Sequence, residues 1–198
     1  MRALNLTRVT KIRFKIRNAV RLDMKPQHLA VLVTVVHFGI AITHGGPVAV
    51  PDVSAYLSFA QWLHGGLLPD DATFFPGYGL LLAPVGWMSG SALHTAALLF
   101  NSVLAGLCVM LTARFATSIG ASPKFVTAAA VIAAIHPSIS TSSRIAWPET
   151  TIVLTVLIVC LALSNERWVL VGIVTGLSLV MHPRLIAVVV AAVGVALI

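Results

Sequence analysis

The stretch ALHTAALLFNSVLAGLCVMLTA, residues 92–113, runs without a single charged side chain. A membrane-spanning helix needs about 20 consecutive apolar residues, so this stretch is long enough to cross a bilayer. Further apolar runs lie at 27–44, 125–139, 150–163, 168–181 and from residue 185 onward. The sequence therefore predicts an all-α protein, a polytopic membrane helix bundle of about six spans.

The composition supports this class and excludes others. Of the 198 residues, 58% are hydrophobic and 10% are charged, whereas a soluble domain carries about 25% charged residues. The two cysteines, Cys108 and Cys160, both lie inside apolar runs. A thiol behaves there as a small hydrophobic group, so we expect neither a disulfide framework nor a metal site from them.

The positive charge is concentrated at the N-terminus. Residues 1–25 carry eight Lys or Arg against Asp23, and the remainder carries five basic and five acidic residues. With no basic face elsewhere, nucleic acid is excluded as a partner, and membrane lipids account for the basic segment. Its apolar side chains share one helical face, which predicts a cytoplasmic interfacial helix. A disordered basic tail and a secretory signal peptide are the alternatives.

The positive-inside rule then fixes the topology of a multi-pass protein of the plasma or inner membrane. It puts the N-terminus, Arg114, Lys124 and Arg167 in the cytoplasm, and Arg144 and Arg184 outside. We interpret 26–198 as one transmembrane domain. Because its last apolar run has no polar flank, we expect the chain to be the N-terminal part of a longer protein.

Residues 45–90 are rich in Gly and Pro, which predicts a structured outer loop rather than a span. Within this loop a short helix is expected to lie on the outer leaflet, with Asp52 at its N-cap. Its apolar face comprises Val53, Tyr56, Leu57, Ala60 and Leu63. Residues 80–88 are expected to form a dipping or surface segment.

Candidate chemical groups gather on the outer side in this topology. Asp52 could accept a proton from an acceptor hydroxyl or simply cap a helix. Arg144 and Arg184 present the bidentate donors that suit phosphate. Asp70 and Asp71 read as ordinary loop residues, and Asn101 and His37 as polar contacts between helices. The seven histidines lack a metal-binding spacing, so no cofactor is assigned. A divalent metal stays open, because four of them would lie near the outer face: His44, His64, His136 and His182.

Three motifs in order, PDVSAYL at 51–57, FFPGYGLLLAP at 74–84 and SRIAWPE at 143–149, resemble the GT-C superfamily of membrane glycosyltransferases. The likeness is to protein O-mannosyltransferase-like and lipid A aminoarabinose-transferase-like enzymes. Many members have an acidic pair where this chain has Asp52-Val53, and several have Pro-Pro where it has Pro76-Gly77.

The resemblance implies transfer, with inversion, of a mannose-like hexose or a pentose. The donor would be a polyprenyl-phosphate sugar, and the acceptor an extracytoplasmic glycan, lipid or protein. Asp52 would be the catalytic residue. Donor phosphate or substrate binding would fall to Arg144 and Glu149, together with Arg184, Tyr56 and Tyr78.

Two other functions fit the same sequence. A secondary transporter or lipid flippase fragment would also show Gly- and Pro-broken apolar helices, and an internal inverted repeat would favour it. A non-catalytic donor-binding membrane subunit would lack the acidic base.

Overall fold

The computed structural model describes residues 25–44, 51–67 and 76–197. All regular structure within these ranges is helical, which confirms the all-α prediction. The helices are α1 (Pro26–Thr43), α2 (Pro51–Trp62), α3 (Gly77–Leu81), α4 (Gly90–Ser118), α5 (Pro123–Ile135), α6 (Pro137–Ser140), α7 (Glu149–Ser164), α8 (Trp168–Met181) and α9 (Ile186–Ala196), with 3-10 turns at Ala83–Val85 and Pro183–Leu185. The predicted basic helix before residue 25 and the loop residues Asp70 and Asp71 lie outside the described ranges.

Among the described residues, two helices have the length and composition to cross a membrane. These are α1, with 18 residues, and α4, which extends the predicted 92–113 run to 29 residues. The apolar helices α5, α7 and α8 have 13, 16 and 14 residues, and the 3-10 turn at 183–185 together with α9 also has 14. The run predicted at 125–139 ends at Ile135, because Pro137 begins a separate short helix.

The long helix α4 forms the centre of the bundle. It packs against α1, α5 and α7, and α8 and α9 follow on the far side of α7. Gly106 lets α1 approach closely, since a Cβ atom there would lie 2.8 Å from the carbonyl oxygen of Ala30. Small residues at a helix contact allow close backbone packing, which explains why α1 and α4 fit together.

The connections give the bundle two chemically different ends. At one end, Ser118 at the end of α4 lies 2.9 Å from Ser164 at the end of α7, measured between hydroxyl oxygens. Pro26, Arg114 and Val126 line one cleft at this end, so the start of α1 and the start of α5 are there too. We call it the basic end, and it carries Lys25, Arg114, Lys124 and Arg167. The opposite end, which holds α2, α3 and residues 141–149, is the loop end.

The helix α2 forms as predicted, but its position differs from the expectation. Its apolar residues Val53, Tyr56 and Ala60 are buried against α1, α3 and α4, so this face packs on protein. Leu63 falls after the helix and is exposed. The helix begins at Pro51, which places Asp52 in the first turn rather than at the N-cap.

The segment 77–86 is wedged between helices. A Cβ atom on Gly77 would lie 2.7 Å from the carbonyl oxygen of Val180 in α8, and one on Gly79 would lie 2.6 Å from that of Tyr56 in α2. Tyr78 and Leu82 are fully buried, whereas Leu80 and Leu81 remain exposed. The segment 77–86, which overlaps the expected surface segment 80–88, therefore joins α2 to α8 through two glycine contacts.

We predict that Gly79→Ala lowers the free energy of unfolding by about 2 kcal/mol, the usual scale for overpacking against backbone atoms. The measurement is thermal unfolding of the detergent-solubilised protein. The matched control is Gly172→Ala in α8, where no atom lies within 4 Å of the new Cβ. That change should stabilise by up to about 1 kcal/mol, because alanine is the better helix former. Equal midpoints for the two variants would contradict the wedge.

Candidate functional site

Three distant segments bring predicted site residues to the loop end. Asp52 and Tyr56 lie on α2, and Glu149 is the first residue of α7. Arg184 lies in the 3-10 turn after α8. The helices α7 and α8 are antiparallel neighbours, so the start of one and the end of the other meet at this end of the bundle.

Arg184 and Glu149 form an ion pair. The guanidinium nitrogen Nη1 lies 3.2 Å from Oε1 of Glu149, and the two side chains are 68% and 25% exposed. An exposed pair of this kind contributes little to stability because solvent screens it. Its effect is to hold the arginine side chain over the site, with other N–H donors of its guanidinium still available.

Tyr56 lies among these charges. Burial raises the pKa of its hydroxyl, and the negative charges of Asp52 and Glu149 raise it further, while Arg184 opposes them. The charges of Asp52, Glu149 and Arg184 thus all act on the pKa of this one phenol. Tyr56 therefore stays protonated at neutral pH and can donate a hydrogen bond.

His182 belongs to the same group, although the sequence indicated it only as one of several histidines near the outer face. Burial lowers its pKa, Arg184 lowers it further, and Glu149 and Asp52 act in the opposite direction. Its Nδ1 atom accepts a hydrogen bond from the backbone N–H of Arg184 at 3.2 Å. His182 thus holds the turn that presents the arginine.

Asn101 connects the elements beneath the site. Its Oδ1 accepts a hydrogen bond of 3.0 Å from the Tyr78 hydroxyl, and its Nδ2 donates to the carbonyl oxygen of Trp147 at 3.2 Å. Asn101 is fully buried. The ring of Tyr78 packs edge-on against that of Tyr56, with 5.5 Å between centroids and 87° between planes. Burial raises the pKa of Tyr78, which keeps its hydroxyl a donor.

Asn101 and Trp147 were not among the site residues predicted from the sequence. Asn101 was interpreted as an ordinary contact between helices, and Trp147 had no assigned role. The available signal was the amide itself, since a polar side chain inside an apolar run needs a partner. Its partners are separated by more than 60 residues along the chain, so the sequence could not name them.

Arg144 is not brought into the ion pair. It lies in the turn after α6, its side chain is exposed, and no described residue forms a salt bridge with it. The neighbouring segment nevertheless contains polar atoms that are buried and without a hydrogen-bond partner in the described structure. They are Ser143 Oγ, Trp147 Nε1, Glu149 Oε2 and Thr151 Oγ1. Such atoms normally bind water or a ligand, which makes segment 143–151 a candidate polar binding surface.

The described residues contain no group of three or more His, Cys, Asp or Glu that could hold a metal ion. The residues of the site supply a carboxylate at Asp52, a guanidinium paired with a second carboxylate, and protonated phenols. Comparison of the chain with protein-family models, curated proteins and solved structures gave no match.

The hydrogen bond between Tyr78 and Asn101 can be tested by a double-mutant cycle. Tyr78→Phe should destabilise the protein by about 1–2 kcal/mol, and Asn101→Leu by more, since it leaves two buried partners without a bond. Because the changes share one interaction, the double variant should fall short of the sum by about 1 kcal/mol. The readout is chemical or thermal unfolding in detergent.

Ser102→Ala is the matched control for this cycle. Ser102 is also buried on α4, but its hydroxyl bonds only to the carbonyl oxygen of Leu98 one turn earlier. Loss of that local bond should change stability by less than about 1 kcal/mol. Strict additivity of the Tyr78 and Asn101 changes would show that the two side chains do not act together.

Proposed function

We propose that the protein is an integral membrane glycosyltransferase that moves a sugar from a polyprenyl-phosphate donor to an acceptor on the outer side of the membrane. The observation that carries the proposal is the convergence of Asp52, Tyr56, Glu149 and Arg184 at one end of an apolar bundle. A base and a phosphate-binding group side by side are what this transfer requires.

We propose that the six apolar runs of the sequence span the membrane, and the exposed surface of the last two helices supports a membrane location. On α8, Val169, Ile173 and Leu177 recur at four-residue spacing and are 79%, 55% and 63% exposed. On α9, Val190 and Val193 are exposed in the same way. Apolar faces of this extent are unfavourable in water and favourable in a bilayer.

The charge distribution supports the orientation. Helix α1 begins at the basic end, and the sequence before it carries eight Lys or Arg, so a cytoplasmic N-terminus puts the loop end outside. The proposed site residues at the loop end, which are Asp52, Tyr56, Glu149 and Arg184, then face the outer compartment. An outward site suits a donor whose sugar is carried across the membrane on a lipid.

In the proposed reaction Asp52 takes the proton of the acceptor hydroxyl. The hydroxyl oxygen forms a bond to the anomeric carbon of the sugar as the bond from that carbon to the phosphate oxygen breaks. The electron pair leaves with the polyprenyl phosphate, which departs as a monoester. A single displacement inverts the anomeric carbon and needs no covalent intermediate with the protein.

Arg184 stabilises the leaving phosphate in this scheme. The phosphodiester carries one negative charge and the released monoester approaches two, so a fixed guanidinium favours the products and the transition state. Glu149 holds Arg184 in place through the 3.2 Å contact. Tyr56 donates a hydrogen bond to the phosphate or the sugar, and the ring of Tyr78 packs against Tyr56 and positions it. The exposed Arg144 offers a second contact for the donor phosphate.

Asp52→Asn should abolish transfer while leaving membrane insertion intact, because the amide cannot accept the proton. The assay incubates membranes from cells that express the complete reading frame with radiolabelled polyprenyl-phosphate sugar and follows the label into product. Arg184→Gln should lower the rate by roughly 100-fold, the scale of losing one transition-state contact.

Glu166→Gln is the matched control, since Glu166 is an exposed carboxylate at the opposite end of the bundle. It should transfer at the wild-type rate. Wild-type turnover by Asp52→Asn would overturn the assignment of the base. Donor binding without transfer in the wild-type protein would instead indicate a donor-binding subunit, and movement of the donor across the membrane would indicate a flippase.

A further inference from the structure

A cleft at the basic end is lined by two arginines from different helices. It has a volume of about 400 Å³ and lies between the ends of α4 and α7 and the start of α8. Arg114 and Arg167 line it together with the polar residues Ser118 and Asn165 and the apolar residues Ile158 and Leu170. No acidic side chain is among its described lining residues.

Neither arginine has a partner within the described part of the chain. Arg184 and Glu149 form the salt bridge found there, and no side-chain hydrogen bond involves Arg114 or Arg167. Glu166, next to Arg167 in sequence, lines a neighbouring pocket that shares Arg167 and Leu170 with the cleft, but it forms no salt bridge with either arginine in the described structure. The described lining of the cleft thus carries two positive charges and no acidic side chain.

The neutral polar groups of the cleft are already engaged. The Asn165 amide donates to the carbonyl oxygen of Leu161 at 2.7 Å, and the Ser118 hydroxyl pairs with Ser164. The free donors are therefore guanidinium N–H groups, whose planar geometry matches phosphate oxygens. The charge and the free donors of the cleft therefore suit an anion.

The apolar side of the cleft points to a lipid rather than a free ion. Leu170, which lines it, is 37% exposed and continues into Ile173, which is 55% exposed on the outer face of α8. A phosphate headgroup between the arginines would leave its acyl chains along this apolar face. Basic clefts at the cytoplasmic ends of membrane helices suit this arrangement.

We propose that Arg114 and Arg167 bind the phosphate headgroup of an anionic phospholipid at the basic end of the bundle. The site lies at the opposite end of the bundle from Asp52 and Arg184. It takes no part in the proposed sugar transfer. It rests on the membrane location given under the proposed function, but not on sugar transfer.

The test measures lipid retention by native mass spectrometry of the purified full chain after detergent exchange with phosphatidylglycerol and phosphatidylcholine in equal amounts. The wild-type protein should retain phosphatidylglycerol preferentially. Arg114→Gln and Arg167→Gln should each weaken that retention about fivefold, the effect of one basic contact with an anionic lipid. Lys124→Gln should leave it unchanged, because Lys124 is an exposed cation at the same end that does not line the cleft.

Equal retention of the two lipids by the wild-type protein, or full retention by the double arginine variant, would overturn the proposal. Displacement of the lipid by inorganic phosphate at an ionic strength at which sodium chloride leaves it bound would show a free-anion site and also overturn it. If the glutamine variants do not fold, retention by the wild-type protein across a salt series gives the answer, since a charge contact must weaken as salt rises. Lipid selectivity without sugar transfer would overturn only the transferase.

Discussion

The buried amide of Asn101 is the contact on which the loop end depends. It joins α3, through Tyr78, to the segment before α7, through Trp147, and both partners lie far from it in sequence. An amide buried in an apolar helix is costly unless its donors and acceptor are satisfied, so its partners are strongly specified. Because Tyr56 packs on Tyr78, the same contact also positions the helix that carries Asp52.

The two ends of the bundle differ in how their charged side chains are paired. At the loop end, Glu149 neutralises Arg184, and Asp52 lies within range of the same cluster. At the basic end, Arg114 and Arg167 face a cleft whose described lining contains no carboxylate. One end therefore has carboxylates around an ion-paired arginine, and the other has two arginines that share a cleft without a described carboxylate.

The sequence predicted the helices better than their packing. The apolar runs marked helix positions to within a few residues, because the length of a hydrophobic run is a local signal. The burial of α2 and the wedge at Gly77 and Gly79 were not predicted. They depend on which surfaces meet in the folded chain, and these can lie more than 100 residues apart, as when Gly77 contacts Val180.

The residues of the candidate site also fall into two groups, those that the sequence alone identifies and those that only the fold identifies. Asp52, Glu149 and Arg184 were identified because charged side chains are rare in an apolar chain. His182 was noted only for its position, and Asn101 was taken for an ordinary polar contact. Both act through other residues, one by holding the turn of Arg184 and the other by joining two loops. A supporting role of this kind depends on the folded neighbours, whereas a charge is visible in the sequence itself.

The central claim is that the loop end and the basic end lie on opposite sides of one membrane. Single cysteines at exposed positions test it most directly, with Arg144→Cys at the loop end and Lys124→Cys at the basic end, after Cys108 and Cys160 are replaced by alanine. In intact cells a membrane-impermeant maleimide should label position 144 at once and position 124 only after permeabilisation. Labelling of both positions from outside, or of position 124 alone, would contradict the account, because Asp52 and Arg184 would then face the wrong compartment.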